Sequence, residues 1–301
     1  MKKLFLLLSI SLIYISCEKV IPFEGDVNTP KLVINSVFES DSTFKVHVSS
    51  SRSVIDTASF KNIDDAIVTI KDGNGNVIEI LNHVVNGFYK GQVLPEENTT
   101  YILEVNHPNY ANITASDSLP SPITINSVDT TTIFDPINGD RLQISMNFDD
   151  PENNQNYYLL ETYSVNEYLL IKDLDTIEYA LDTTKQYMVL TDEVFQNGGS
   201  PWREQGLFND LLFNGQNKTL ELEIPYENWS GSEDGYDWSY QTLTLRLYLH
   251  NISISYYYYR TSLELFQNAS GNPFAQPVQV FSNVENGFGI FAGSQISFFD
   301  L

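Results

Sequence analysis

Strict alternation constrains this chain most. Leu243-Thr244-Leu245-Arg246-Leu247-Tyr248-Leu249 and Thr219-Leu220-Glu221-Leu222-Glu223-Ile224-Pro225 place an apolar side chain at every second position. That period sets one face of an extended strand against a core and the other against water, whereas a helix repeats near 3.6. Phe44-Lys45-Val46-His47-Val48 and Leu142-Gln143-Ile144-Ser145-Met146-Asn147-Phe148 do the same. Further runs stand at Leu32–Phe38, Ala66–Ile70, Val77–Leu81, Thr100–Val105 and Ile113–Ser116. Ser, Thr and Asn fill the intervals, and Tyr and Phe dominate the aromatics, a composition that favours β structure.

The strands fall into two sets. About seven short ones over roughly 90 residues predict an immunoglobulin-like or transthyretin-like β-sandwich at residues 31–120. Asp72-Gly73-Asn74-Gly75-Asn76 reads as a hairpin turn. It opens like an EF-hand loop, then departs from one with Val77 where glycine belongs and His83 where glutamate belongs. Leu119-Pro120-Ser121-Pro122 marks a boundary, leaving residues 121–301 as a larger antiparallel β domain. In Tyr256-Tyr257-Tyr258-Tyr259-Arg260-Thr261-Ser262-Leu263-Glu264-Leu265-Phe266 the spacing of Tyr259, Leu263 and Phe266 is helical, so one amphipathic helix is expected to pack on the sheet. The fold class is therefore mainly β with one packed helix.

Cys17 is the only cysteine. Before it stand Lys2 and Lys3, then an apolar stretch of about 13 residues ending in Ser16, the layout of an export signal. Residues 1–16 are expected to be removed, Cys17 to carry a covalent lipid, and residues 17–30, with Pro22, Gly25 and Pro30, to form a tether. The stretch is too short for a spanning helix, which needs about 20 residues. Cleavage takes the formal charge from −23 to −25. A chain this acidic does not suit nucleic acid, whose phosphates need Lys and Arg. The lipid would hold it at a membrane it otherwise avoids.

Chemistry-bearing motifs are sparse. No two of His47, His83, His107 and His250 have zinc-site spacing, and no nucleophile elbow, phosphate loop or dinucleotide fingerprint is present. The acidic groups Asp149-Asp150-Glu152 and Glu233-Asp234-Asp237 are the weak calcium or carboxylate-pair candidates. No catalytic residue is assigned, no cofactor is expected beyond the lipid, and the chain reads as a non-enzyme. Trp229-Ser230-Gly231-Ser232-Glu233-Asp234-Gly235-Tyr236-Asp237-Trp238 reads as a polar, glycine-rich loop, and its Trp229, Tyr236 and Trp238 are the best ligand or partner contacts.

The ending from Asn272-Pro273-Phe274 through Asn283-Val284-Glu285-Asn286-Gly287-Phe288-Gly289-Ile290-Phe291 resembles the C-terminal signature of a Bacteroidetes lipoprotein family, domain of unknown function DUF4249. Leu207-Phe208-Asn209-Asp210-Leu211-Leu212-Phe213-Asn214-Gly215, Cys17-Glu18-Lys19 and Pro30-Lys31-Leu32-Val33-Ile34 resemble it too. The resemblance covers essentially the whole mature chain. It implies an outer-membrane lipoprotein working beside a TonB-dependent transporter, and no reaction. A non-catalytic accessory subunit in nutrient uptake is the leading expectation. A stand-alone adhesive or structural surface module and a carboxylate-dependent hydrolase are the alternatives. The sequence leaves the membrane face undecided.

Overall fold

The computed structural model describes residues 29–301 apart from 54–59, 135–139, 153, 173–174, 196–201, 226–227, 271–273 and 277. Cys17, the signal segment and most of the tether lie outside the described residues.

The first strands are β1 Leu32–Phe38, β2 Lys45–Ser50, β3 Lys61–Asn62, β4 Ile67–Asp72, β5 Val77–Ile80, β6 Asn82–Val85, β7 Phe88–Lys90, β8 Thr100–Asn106 and β9 Ile113–Ser118. They form a sandwich. One layer runs β1-β2-β7-β6 with β3 beside β2, and the other runs β9-β8-β4-β5. Alternation explains the packing: Leu32, Ile34, Val46 and Val48 of one layer meet Val68, Ile70, Leu103 and Val105 of the other in one core. The β4–β5 turn closes on itself, with Asp72 Oδ1 accepting the backbone N–H of Asn74 at 2.9 Å and of Asn76 at 2.8 Å. The Asn76 amide donates to the other Asp72 oxygen at 2.8 Å, so the carboxylate serves its own turn.

Next come β10 Ile125–Ile133, β11 Arg141–Asp149, β12 Tyr157–Lys172, β13 Asp175–Lys185, β14 Met188–Leu190, β15 Trp202–Arg203, β16 Gln205–Asn209, β17 Asn217–Pro225, β18 Asn228–Glu233 and β19 Tyr236–Ile252. Helix α1 Ile254–Ala269, β20 Val284–Glu285 and β21 Phe288–Asp300 follow. β10-β11-β17-β14-β15 make one sheet, which faces β12, β16, β19 and the end of β21. Ile144, Met146, Leu220 and Leu222 meet Tyr158, Leu160, Leu247 and Leu249 in a second core. The fold is thus mainly β with one helix among the described residues, as expected.

The two sandwiches share a strand, which the division at residue 120 does not anticipate. Phe288–Gly293 of β21 pairs in parallel with Val33–Phe38 of β1. Ser294–Asp300 of the same strand pairs antiparallel with Arg246–Ile252 of β19. β20 adds to β9, so Val284 and Phe291 belong to the first core. The terminal motif explains the docking. The Asn283 side chain pairs with the Phe291 backbone, donating to its carbonyl at 2.7 Å and accepting its N–H at 3.1 Å. Gly289 holds φ of 106°, and a Cβ there would fall 1.8 Å from the Ile34 carbonyl oxygen. Only glycine fits.

Helix α1 starts at Ser253, whose hydroxyl accepts the Tyr256 N–H at 3.2 Å. The expected inward stripe is corrected: Tyr256 and Tyr257 pack on Tyr157, Leu159, Leu207 and Ile252, while Phe266 is 46% exposed. Consecutive positions can share this contact because the helix covers only the end of the sheet.

Candidate functional site

The structure corrects the Trp229–Trp238 loop to a β-hairpin. β18 and β19 pair from Asn228↔Gln241 to Glu233↔Tyr236. Between them Asp234 and Gly235 both take positive φ, 53° and 78°, the two-residue turn that suits strand twist. The acidic group Glu233-Asp234-Asp237 is the exposed tip of this hairpin. β12 and β13 run alongside, with β12 pairing to β19 out to Lys172↔Tyr236. The result is a four-stranded arm, β13-β12-β19-β18, beyond the second core.

Pairing places Tyr168 opposite Tyr240, Leu170 opposite Trp238 and Lys172 opposite Tyr236, all on one face. Lys172 Nζ lies 4.6 Å from the Tyr236 ring centre. Trp238 covers Gly231, its cross-strand partner, where a Cβ would strike the indole at 2.2 Å. Trp229 pairs with Tyr240 through its backbone; its side chain lies outside the described residues. None of Tyr168, Leu170, Tyr236, Trp238 and Tyr240 enters a core cluster. The structure therefore brings Tyr236 and Trp238 together and adds Tyr168, Leu170 and Tyr240, which the sequence analysis missed.

The calcium candidates separate. Asp149 is exposed and accepts the amides of Asn217 at 2.8 Å and Asn126 at 3.0 Å. Asp150 is buried and accepts the Gly215 N–H at 2.8 Å and the Tyr158 hydroxyl. Burial pushes the Asp150 carboxyl up, against the pull of these two donors. Glu152 is exposed. Among the described residues no group of three His, Cys, Asp or Glu side chains is arranged to hold a metal ion. The Leu207–Gly215 motif is structural where its contacts are described: Phe208 and Phe213 fill the second core, and Asp210 accepts the Asn156 N–H at 2.7 Å.

A second surface arises from strand pairing alone. Leu245, Leu247 and Leu249 point into the core, so Thr244, Arg246, Tyr248 and His250 share the outer face. Glu161, Tyr163 and Val165 of β12, Thr183 of β13 and Ile296 of β21 complete a concavity of about 460 Å³. Tyr163 and Tyr248 meet edge to face, 5.6 Å apart at 89°. The cations are already paired, Lys185 with Glu161 at 2.6 Å and Arg246 with Asp300 through two hydrogen bonds. His250 is 8% exposed; its Nδ1 meets Ser294 Oγ at 3.2 Å, its Nε2 has no hydrogen-bond partner, and Glu161 Oε2 lies 3.7 Å from that nitrogen. The alternation of Arg246, Tyr248 and His250 was the available signal. It reads as a solvated face until β12 and β21 flank it.

Burial lowers the His250 imidazole from 6.5 to about 4, with Glu161 pulling the other way. The unfolded chain takes up this proton near pH 6.5 and the folded chain only near pH 4. Stability is therefore lost as pH falls through that window, by up to roughly 3 kcal/mol. Thermal melts at pH 7 and pH 4.5 are expected to show a smaller acid-induced drop for His250→Gln than for the wild type. Equal drops would assign the acid sensitivity elsewhere.

Fold and surfaces together define a two-sandwich β protein with an aromatic arm and an outer groove. The chain belongs to the family described as Domain of unknown function (DUF4249), matching it over residues 18–297. No curated protein matches it. Among solved structures it is similar to a chain described as "Biofilm associated protein - BSP domain", 8% identical over 93% of this chain, with a TM-score of 0.21. This chain spans 62% of that structure's length.

Proposed function

We propose that this protein is a non-catalytic binding subunit, anchored at the outer membrane by a lipid on Cys17, that docks on a TonB-dependent transporter. The observation that carries the reading is the arm. It presents Tyr168, Leu170, Tyr236, Trp238 and Tyr240 on one face beyond the second core. Aromatic side chains on a rigid strand scaffold are favoured contact residues, because they bring large apolar area at little conformational cost. The export-signal layout ending at Cys17 supports the setting. The acidic charge, −23 for the full chain and more negative once Lys2 and Lys3 are removed, fits a partner with basic extracellular or periplasmic loops, and a lipid tether keeps the two together.

The test is capture of the tagged lipoprotein from outer membranes in mild detergent, comparing wild type with Trp238→Ala/Tyr240→Ala. A transporter recovered in equal amount with the wild type and lost with the variant is the expected result. The substitutions lie outside the cores, so melting should shift by no more than about 1 kcal/mol in stability. Recovery of the wild type alone, with other transporter complexes surviving the same detergent, overturns the reading and leaves a stand-alone surface module.

A further inference from the structure

The outer groove is separate from the arm's aromatic face and asks for a ligand of its own. Three observations limit its chemistry. First, its formal charges cancel locally: Lys185 holds Glu161 at 2.6 Å, and Arg246 holds Asp300 through Nε and Nη2. A charged ligand would shed water and meet no unpaired counter-charge, a poor exchange in a partly buried site. Second, the walls are aromatic and aliphatic side chains, Tyr163, Tyr248, Val165 and Ile296, with Thr183 and Thr244 among them. Third, the floor holds a polar atom without a partner, His250 Nε2, 3.7 Å from Glu161 Oε2.

That last pair is the most informative. A lone pair aimed at a carboxylate is repelled by it, so Nε2 carries the proton and Ser294 Oγ donates to Nδ1. The two atoms are too far apart to bond each other. An oxygen placed between them, at an ordinary hydrogen-bond length from both, accepts from Nε2–H and donates to Oε2. A hydroxyl does both; an ammonium only donates and a carbonyl only accepts. Nε2 is closed to solvent, so seating the hydroxyl displaces the Glu161 side chain that lies beside it.

We propose that this groove binds a neutral polyhydroxylated ring, a glycan residue, with its apolar face on Tyr248 and one hydroxyl bridging Glu161 and His250. The volume of about 460 Å³ lies within the range of small-molecule sites, roughly 300–1,000 Å³. The proposal does not depend on the transporter reading, because none of its residues belongs to the arm's aromatic face.

The experiment is ligand-observed NMR and calorimetry on the purified full lipoprotein in mild detergent. The probes are maltose, cellobiose, lactose and chitobiose, with digalacturonic acid as the charged sugar and glycyl-tyrosine as the zwitterionic peptide. At least one neutral disaccharide is expected to saturate the protein, and digalacturonic acid to bind at least roughly tenfold more weakly than it. Tyr248→Ala and Glu161→Gln are each expected to weaken the neutral sugar about tenfold or more. Ile80→Ala, exposed on the first sandwich, is expected to leave binding unchanged. Because Glu161→Gln also frees Lys185, Lys185→Met serves as its control and should change affinity less. No saturable binding by any neutral disaccharide overturns the proposal. Preference for the peptide or the charged sugar overturns it too, as does binding that persists undiminished in both groove variants.

Discussion

Replacing Gly289 by alanine is expected to lower the unfolding free energy by about 3–5 kcal/mol, its new Cβ making the closest clash among the described glycines. Two costs add. Alanine is strained at φ of 106°, and the new Cβ meets the Ile34 carbonyl oxygen at 1.8 Å. That oxygen belongs to a strand held in register, with Ile34 opposite Gly289 and Asn35 opposite Ile290, so it has little room to retreat. Equilibrium denaturation with urea measures the loss. It also tests the architecture. β21 is hydrogen-bonded to β1 in one sandwich and to β19 in the other, so a lesion in the first half should lower both. One transition at lower denaturant is expected, seen alike by far-ultraviolet circular dichroism and by tryptophan fluorescence. Two resolved transitions, only one of them shifted, would show that the sandwiches fold independently.

Tyr158→Ala should cost a similar amount, about 4–5 kcal/mol, from the second core. Tyr158 is fully buried and packs 5.0 Å from Phe208 and 5.5 Å from Phe148, so truncation opens a ring-sized cavity. Its hydroxyl also donates to Asp150, a carboxylate that the Gly215 N–H and the Asn156 side chain serve as well. Tyr158→Phe separates the two contributions, and its cost should be about 2 kcal/mol at neutral pH. The sign of its pH dependence follows from Asp150. Burial raises that carboxyl above its ordinary 3.8, so stability is fully present below that pH and is lost as pH rises through the folded value. Removing the phenolic donor raises it further. The gap between Tyr158→Phe and wild type should therefore narrow as pH falls towards 4, and a gap that widens on acidification would contradict the assignment.

The cores were legible in the sequence and the surfaces were not, for one physical reason. Leu245, Leu247 and Leu249 alternate because one side of β19 faces apolar carbon, and the same holds for Leu220, Leu222 and Ile224. Asp175–Lys185 pairs along its length with β12 yet has no core behind it, so nothing imposes a period on it. The same is true of Ser230–Glu233, whose glycine and serines read as a loop although Asp234-Gly235 is a hairpin turn. The tyrosine run announced a helix, but not which side would meet the sheet, because four successive aromatics satisfy any choice of face. The groove was hidden most deeply. Glu161 and His250 lie 89 positions apart in sequence, and only the pairing of Leu159 with His250 makes them neighbours. The parallel pairing of β1 with β21 had a sign in the Asn283–Gly289 motif, which marks where a strand must approach another closely.

The shared strand also decides how the molecule bears load. A pull applied before residue 31 enters β1 at Leu32 and reaches the second sandwich through β21, which leaves the β1 contact at Gly293. Because β1 and β21 run parallel, the pull slides one strand along the other, and the registered pairs from Val33↔Phe288 to Phe38↔Gly293 resist together. An antiparallel hairpin pulled from its open end would instead unzip, its hydrogen bonds breaking in succession. A chain held at its N-terminal side and loaded through its arm is thus joined in shear, the stronger of the two ways a pair of strands can be stressed.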